Sequence, residues 1–115
     1  MNKIPSSAIP FPHRAGKIFN IQYNVVWKDT TDDEHYLDYM RKLYAYMAPY
    51  VSSSPRSAYV NYLDLDLGSV LNGTVEEAEA WGKMYFNDNF DRLVKAKTEV
   101  DPYNFFKNSQ SIPPS

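Results

Sequence analysis

Residues 58–68 read Ala-Tyr-Val-Asn-Tyr-Leu-Asp-Leu-Asp-Leu-Gly. β-Prone residues lead, Leu and Asp then alternate, and a glycine stops the run. A strand that faces water on one side alternates apolar residues with expendable polar ones. Here Tyr59, Asn61 and Tyr62 put three hydrogen-bonding side chains within four residues. Burying them costs about 1–3 kcal/mol each unless every one finds a partner. The run therefore predicts a strand over 57–63 that lines a ligand cavity. Strand alternation puts Tyr62 on one face and Tyr59 with Asn61 on the other, unless a bulge re-aims them.

A second strand is expected over 17–28. Phe19, Ile21, Tyr23 and Val25 fall on one face, and Asn20, Gln22 and Asn24 on the other. An amide-lined face is either solvated or the polar wall of a pocket. Thr31 and Glu34 have capping-box spacing and start a helix over 32–48, with Tyr36, Leu37, Met40, Leu43, Tyr44 and Met47 as its apolar stripe, stopped by Pro49. Thr74 and Glu77 repeat that spacing ahead of a helix over 75–86 with Val75, Ala78, Trp81 and Tyr85 on one side. Asp88 or Asn89 caps a third helix over 89–99, closed by Asp101-Pro102. Pro5, Pro10 and Pro12 make 1–16 an extended entry segment, and Pro113-Pro114 an irregular tail. The expected fold is α+β, with antiparallel strands covered by two to three helices. Two strands are marginal in water and leave open edges, so further strands are expected from an upstream sheet or a partner chain.

Composition excludes several function classes. Hydrophobic content of 43% and charge of 23% are those of a globular chain. A net charge of −2 without a basic patch argues against nucleic acid as partner. No apolar run is long enough to cross a bilayer, and the first residues lack the apolar core of a signal peptide. The absence of cysteine removes disulfides and thiolate chemistry. His13 and His35 stand in unrelated contexts without ligand spacing, so no metal site is expected. Asn72-Gly73-Thr74 is an N-glycosylation sequon in an expected surface turn.

Several ordered motifs carry a family resemblance. Ser7 to Gly16 (SAIPFPHRAG), Pro49 to Ser52, Pro55-Arg56 and Tyr59 to Gly68 come first. Trp81-Gly82, Tyr85-Phe86, Asn89-Phe90, Arg92-Leu93-Val94, Lys97, Val100 to Phe106 (VDPYNFF) and Gln110 to Pro114 follow. In this order and spacing the chain resembles the C-terminal, berberine-like segment of the plant berberine-bridge-enzyme-like FAD oxidoreductases, over nearly its whole length. The resemblance implies that residues 17–115 are part of a substrate domain and its return to an FAD domain. It also implies that the missing N-terminal part binds most of the FAD. The full-length protein would be a secretory-pathway product, extracellular or vacuolar.

The resemblance also implies roles. Tyr62 would be the general base that takes a proton from a substrate hydroxyl while hydride moves to the flavin. A free tyrosine titrates near pH 10, so such a base needs tuning by a positive charge or hydrogen bonds. Tyr59, Asn20 and Gln22 would contact substrate; Asn61 would contact the cofactor or fix a loop, and Asn104 and Phe105 would contact the cofactor or anchor a loop in the domain. Members that form carbon–carbon bridges carry a glutamate base on the strand where this chain has no acidic residue between Lys17 and Lys28. That departure favours alcohol-type substrates, such as sugars or lignin-type alcohols. His13 is not given the flavin-linking role, which belongs to upstream residues. The alternative is a truncated binding module or remnant without flavin.

Overall fold

The computed structural model describes residues 2–115 and divides them into two units, 2–18 with 57–115, and 19–56. Three α-helices carry the regular structure: α1 (Asp33–Met47), α2 (Val75–Phe86) and α3 (Phe90–Val100). Short 3₁₀ turns flank them and a further one covers Leu65–Leu67. Among the described residues there is no β-strand. The α+β expectation is therefore wrong for this chain, and both predicted strands are irregular.

The backbone partners explain why. A strand needs a ladder of N–H and C=O groups on a neighbouring extended segment. Ala58 N–H instead donates to the carbonyl of Met84, near the end of α2, at 3.0 Å. The chain then turns back, with Tyr62 N–H on the carbonyl of Tyr59 at 2.9 Å. The Leu-Asp alternation that mimics a strand is a capped 3₁₀ turn, with Asp64 Oδ1 accepting from Asp66 N–H at 3.0 Å.

Residues 19–29 run alongside α1 rather than beside another strand. Tyr23 meets Tyr44 edge-on with centroids 6.4 Å apart, and Trp27 stacks on Tyr36 at 5.2 Å. Four extended residues span about 13 Å and eight helical ones about 12 Å, so an antiparallel extended chain keeps step with a helix over that length. The expected face alternation holds only in part: Tyr23 and Val25 are half-buried, as is Trp27, but Phe19 and Ile21 of the expected apolar face are exposed along with Asn20, Gln22 and Asn24. Trp27 Nε1 donates to Asp33 Oδ1 at 2.5 Å, and Arg56 lies over the Tyr44 ring and donates to its hydroxyl at 3.2 Å. The predicted α1 capping box does not form. Thr31 donates to Asp29 instead, from its backbone and its hydroxyl.

In the other unit the prediction over 75–86 matches α2, and its capping box is complete. The core is Ala78, Trp81, Tyr85, Phe90 and Val94. Tyr85 is wholly buried, yet its hydroxyl is served twice: it accepts from Asp64 N–H at 3.1 Å and pairs with Gln110 Oε1 at 3.2 Å. Gln110 Nε2 donates to the carbonyls of Asp64 and Gly68 at 2.7 and 2.6 Å. Asn89 does not cap α3 by side chain; its amide holds the carbonyls of Ser6 and Ile9 at 2.9 and 3.3 Å, which docks the entry segment.

Helices α2 and α3 meet at Gly82. A Cβ there would lie 2.3 Å from Phe90 Cε2. Gly82→Ala gains helix propensity of about 1 kcal/mol, but it forces the Phe90 ring out of a packed core, which costs about 1–3 kcal/mol. We expect a net loss of stability, read as a lower urea midpoint in Trp fluorescence. The double variant with Phe90→Leu should recover part of it, and full stability in the single variant would contradict this packing.

Candidate functional site

The end of α2 organises the candidate site. The last carbonyls of a helix lack intrahelical partners. The Met84 carbonyl takes Ala58 N–H at 3.0 Å and His13 Nε2 at 2.8 Å. A carbonyl only accepts, so Nε2 carries the hydrogen. One helix end thus fixes both the entry segment and the start of the tyrosine turn. Phe11 sits edge-on to His13 and to Tyr59, with centroids 5.7 and 5.6 Å apart. The Arg14 guanidinium lies over the Phe11 ring.

Within the turn, Tyr59 and Tyr62 meet edge-on at 5.2 Å. Strand alternation predicted them on opposite faces; the turn between them brings them together. Asn61 Nδ2 donates to the Tyr59 hydroxyl at 2.8 Å, which leaves that hydroxyl its own hydrogen to donate. Tyr62 is 47% exposed. Among the described residues no group hydrogen-bonds its hydroxyl. The arrangement presents one phenol with an open valence, braced by a second phenol, an amide and Phe11.

Asn104 and Phe105 lie on a loop held by Asp101. Its carboxylate accepts from Phe105 and Phe106 N–H at 2.8 and 3.0 Å and pairs with Lys97, which also donates to the Phe106 carbonyl. The Lys97 hydrogen bond, and then the two backbone N–H groups, hold the Asp101 carboxyl below its ordinary range. Asn104 has φ of 51°, and its buried Oδ1 finds no hydrogen-bond donor among the described residues. Tyr103, Phe105 and Phe106 are exposed.

Asn20 and Gln22 belong to the other unit, where both side chains are exposed on the irregular segment beside α1. Sequence reasoning missed Phe11 as a brace and, though it favoured a structural role for His13, could not name its partner, because a proline-rich stretch has no periodicity to show which side chains turn inward. It also missed Gln110.

Residues 58–113 match the family model "Berberine and berberine like". The chain is 52% identical over 99% of its length to tetrahydroberberine oxidase of Berberis wilsoniae, and 53% identical over 98% to monolignol oxidoreductase AtBBE-like 13 of Arabidopsis thaliana. It covers 22% and 21% of those proteins, so it spans about a fifth of the curated relatives it matches. Among solved structures, wild-type Phl p 4.0202, a glucose dehydrogenase, superposes with a TM-score of 0.91 at 47% identity, over 99% of this chain and 24% of that one. The chain belongs to the berberine-bridge-enzyme-like family.

Burial lowers the pKa of His13 from 6.5, with a smaller contribution from the Lys17 charge. The unfolded chain therefore binds more protons than the folded one below pH 6.5. The stability tied to neutral His13 is complete above pH 6.5 and is lost as pH falls from there through the folded value. Urea midpoints between pH 7.5 and 5.5 should fall in the wild type and flatten in His13→Gln. Parallel curves for the two proteins would show that His13 is not the titrating anchor.

Proposed function

We propose that this chain supplies the proton-accepting and substrate-facing side chains of a FAD-dependent oxidoreductase acting on an alcohol-type substrate, such as a sugar or a lignin-type alcohol. The observation that carries the reading is the Tyr59–Tyr62 turn, which leaves the Tyr62 hydroxyl unengaged and half-exposed. The relatives named as oxidases, oxidoreductases and dehydrogenases support the reaction class.

Tyr62 would take the substrate hydroxyl proton, which a base can do only within hydrogen-bond reach of it. The Tyr59 hydroxyl, which already accepts from Asn61, keeps a hydrogen to donate to a substrate oxygen. Asn20 and Gln22, in the other unit, carry exposed amides, which can hydrogen-bond hydroxyls but accept protons poorly. The flavin, when bound, supplies the hydride acceptor. The residues present fit contact with such a ring. Asn104 Oδ1 is a buried acceptor that lacks a donor, and an oxidised isoalloxazine carries an N–H; Phe105 offers an exposed aromatic face and Asn61 a free carbonyl oxygen. Exposed Ile18, Tyr103, Phe105 and Phe106 suit packing against the remaining four-fifths of such a protein, in which most of the cofactor would be held. The whole protein would travel the secretory pathway.

A hybrid tests this, with the chain replacing the matching segment of the monolignol oxidoreductase. Tyr62→Phe should retain the flavin and slow its anaerobic single-turnover reduction by about 10²–10⁴-fold, the usual worth of a positioned base. An unchanged reduction rate with flavin bound would remove Tyr62 from the chemistry. Loss of flavin would place Tyr62 in cofactor binding instead.

A further inference from the structure

Four aromatic rings stand in series from the end of α2 to the open phenol. His13 meets Phe11 with centroids 5.7 Å apart, Phe11 meets Tyr59 at 5.6 Å, and Tyr59 meets Tyr62 at 5.2 Å. The interplanar angles are 84°, 72° and 89°, so each contact is edge to face. In that geometry the positive rim of one ring rests on the negative face of the next, which fixes tilt as well as separation. The first ring is pinned, because His13 Nε2 donates to the Met84 carbonyl at 2.8 Å. The second carries the buried Arg14 guanidinium, with Cζ 5.5 Å from its centroid, a cation–π contact that gains strength away from water.

The series closes into a circuit. The Met84 carbonyl also takes the N–H of Ala58, which precedes Tyr59. Tyr59 is therefore held twice from one helix end, by its backbone through Ala58 and by its ring through Phe11 and His13. Asn61 holds the Tyr59 hydroxyl from within the same turn and gives the ring no outside reference. Tyr62 is exposed, its hydroxyl is unengaged and its N–H bonds back to Tyr59, so its ring takes its bearing from the Tyr59 ring.

We propose that Phe11 and His13 are positioning residues for the oxidation: through Tyr59 they set the direction of Tyr62 without touching the substrate. The proposal rests on the reading of Tyr62 as the base. A base works only within hydrogen-bond reach of its proton. Taking a ring out of the series frees the tilt of Tyr59 and lets Tyr62 swing, while both phenols keep their chemistry.

Two readouts on the flavin-loaded hybrid test this. The first needs no turnover. With Tyr62→3-fluorotyrosine in place, Phe11→Leu should move the fluorine resonance by more than its linewidth, and Phe11→Tyr, which keeps the ring, should leave it in place. His13→Gln, which keeps an N–H for the Met84 carbonyl and loses the ring, should move it too, and decides the matter if Phe11→Leu does not fold. The second readout is anaerobic flavin reduction without the fluorine label. Phe11→Leu should retain the flavin and its absorbance spectrum and slow reduction by about 10–10²-fold, the cost of misplacing a reacting group by about 1 Å. In the Tyr62→Phe background it should add nothing, because the group that it aims is gone. An unmoved fluorine resonance, or equal slowing in both backgrounds, would overturn the proposal while leaving Tyr62 as the base. Full-rate reduction in Tyr62→Phe alone would instead remove the base, and the catalytic role of the ring series with it.

Discussion

One buried phenol ties the larger unit together. Tyr85 lies in the core with Trp81 and Phe90, where an unpaired hydroxyl would cost about 1–3 kcal/mol. Asp64 N–H and Gln110 Oε1 satisfy it, and Gln110 in turn closes on the carbonyls of Asp64 and Gly68. Three stretches distant in sequence therefore meet at one oxygen: α2, the segment after the tyrosine turn, and the C-terminal tail. Such a network fixes register where a sheet ladder is absent, because each member is satisfied only in one arrangement.

The candidate site inherits its geometry from this frame. Tyr85 anchors the chain at Asp64, and the neighbouring Met84 carbonyl anchors it at Ala58. The residues between these two fixed points must turn, and they carry Tyr59, Asn61 and Tyr62. The same carbonyl holds His13 and, through it, the Phe11 brace. A side chain is positioned best on a rigid mount; here the mount of the tyrosine turn is a helix end whose Met84 carbonyl recruits two loops.

The helices were legible in the sequence where the local signals and the packing agreed. Thr74 and Glu77 predicted a capping box that forms, and the apolar stripe of α2 is the core stripe. The Thr31–Glu34 pair carries the same spacing and forms no box, since Asp29 offers Thr31 a closer acceptor. The strands failed for a different reason. Alternation reports which residues can share a face, and only 23–27 bury alternate residues as expected; it cannot report whether a neighbour offers a ladder. In 57–68 the partners are a helix end, a tyrosine and a glutamine far along the chain, none visible from spacing. Tyr59 and Tyr62 were recognisable as site candidates, but their contact depends on a turn that a β-type run concealed.

Native-state hydrogen exchange tests this frame most directly. Protection requires a bonded amide whose partner opens rarely. A hydrogen-bond frame centred on Tyr85 predicts slow exchange at isolated amides, Ala58, Tyr62, Asp64 and Val70, together with the helix interiors, and fast exchange throughout 18–27. Alternating protection at every second residue across 17–27 and 57–63 would reveal a sheet in solution and contradict the account.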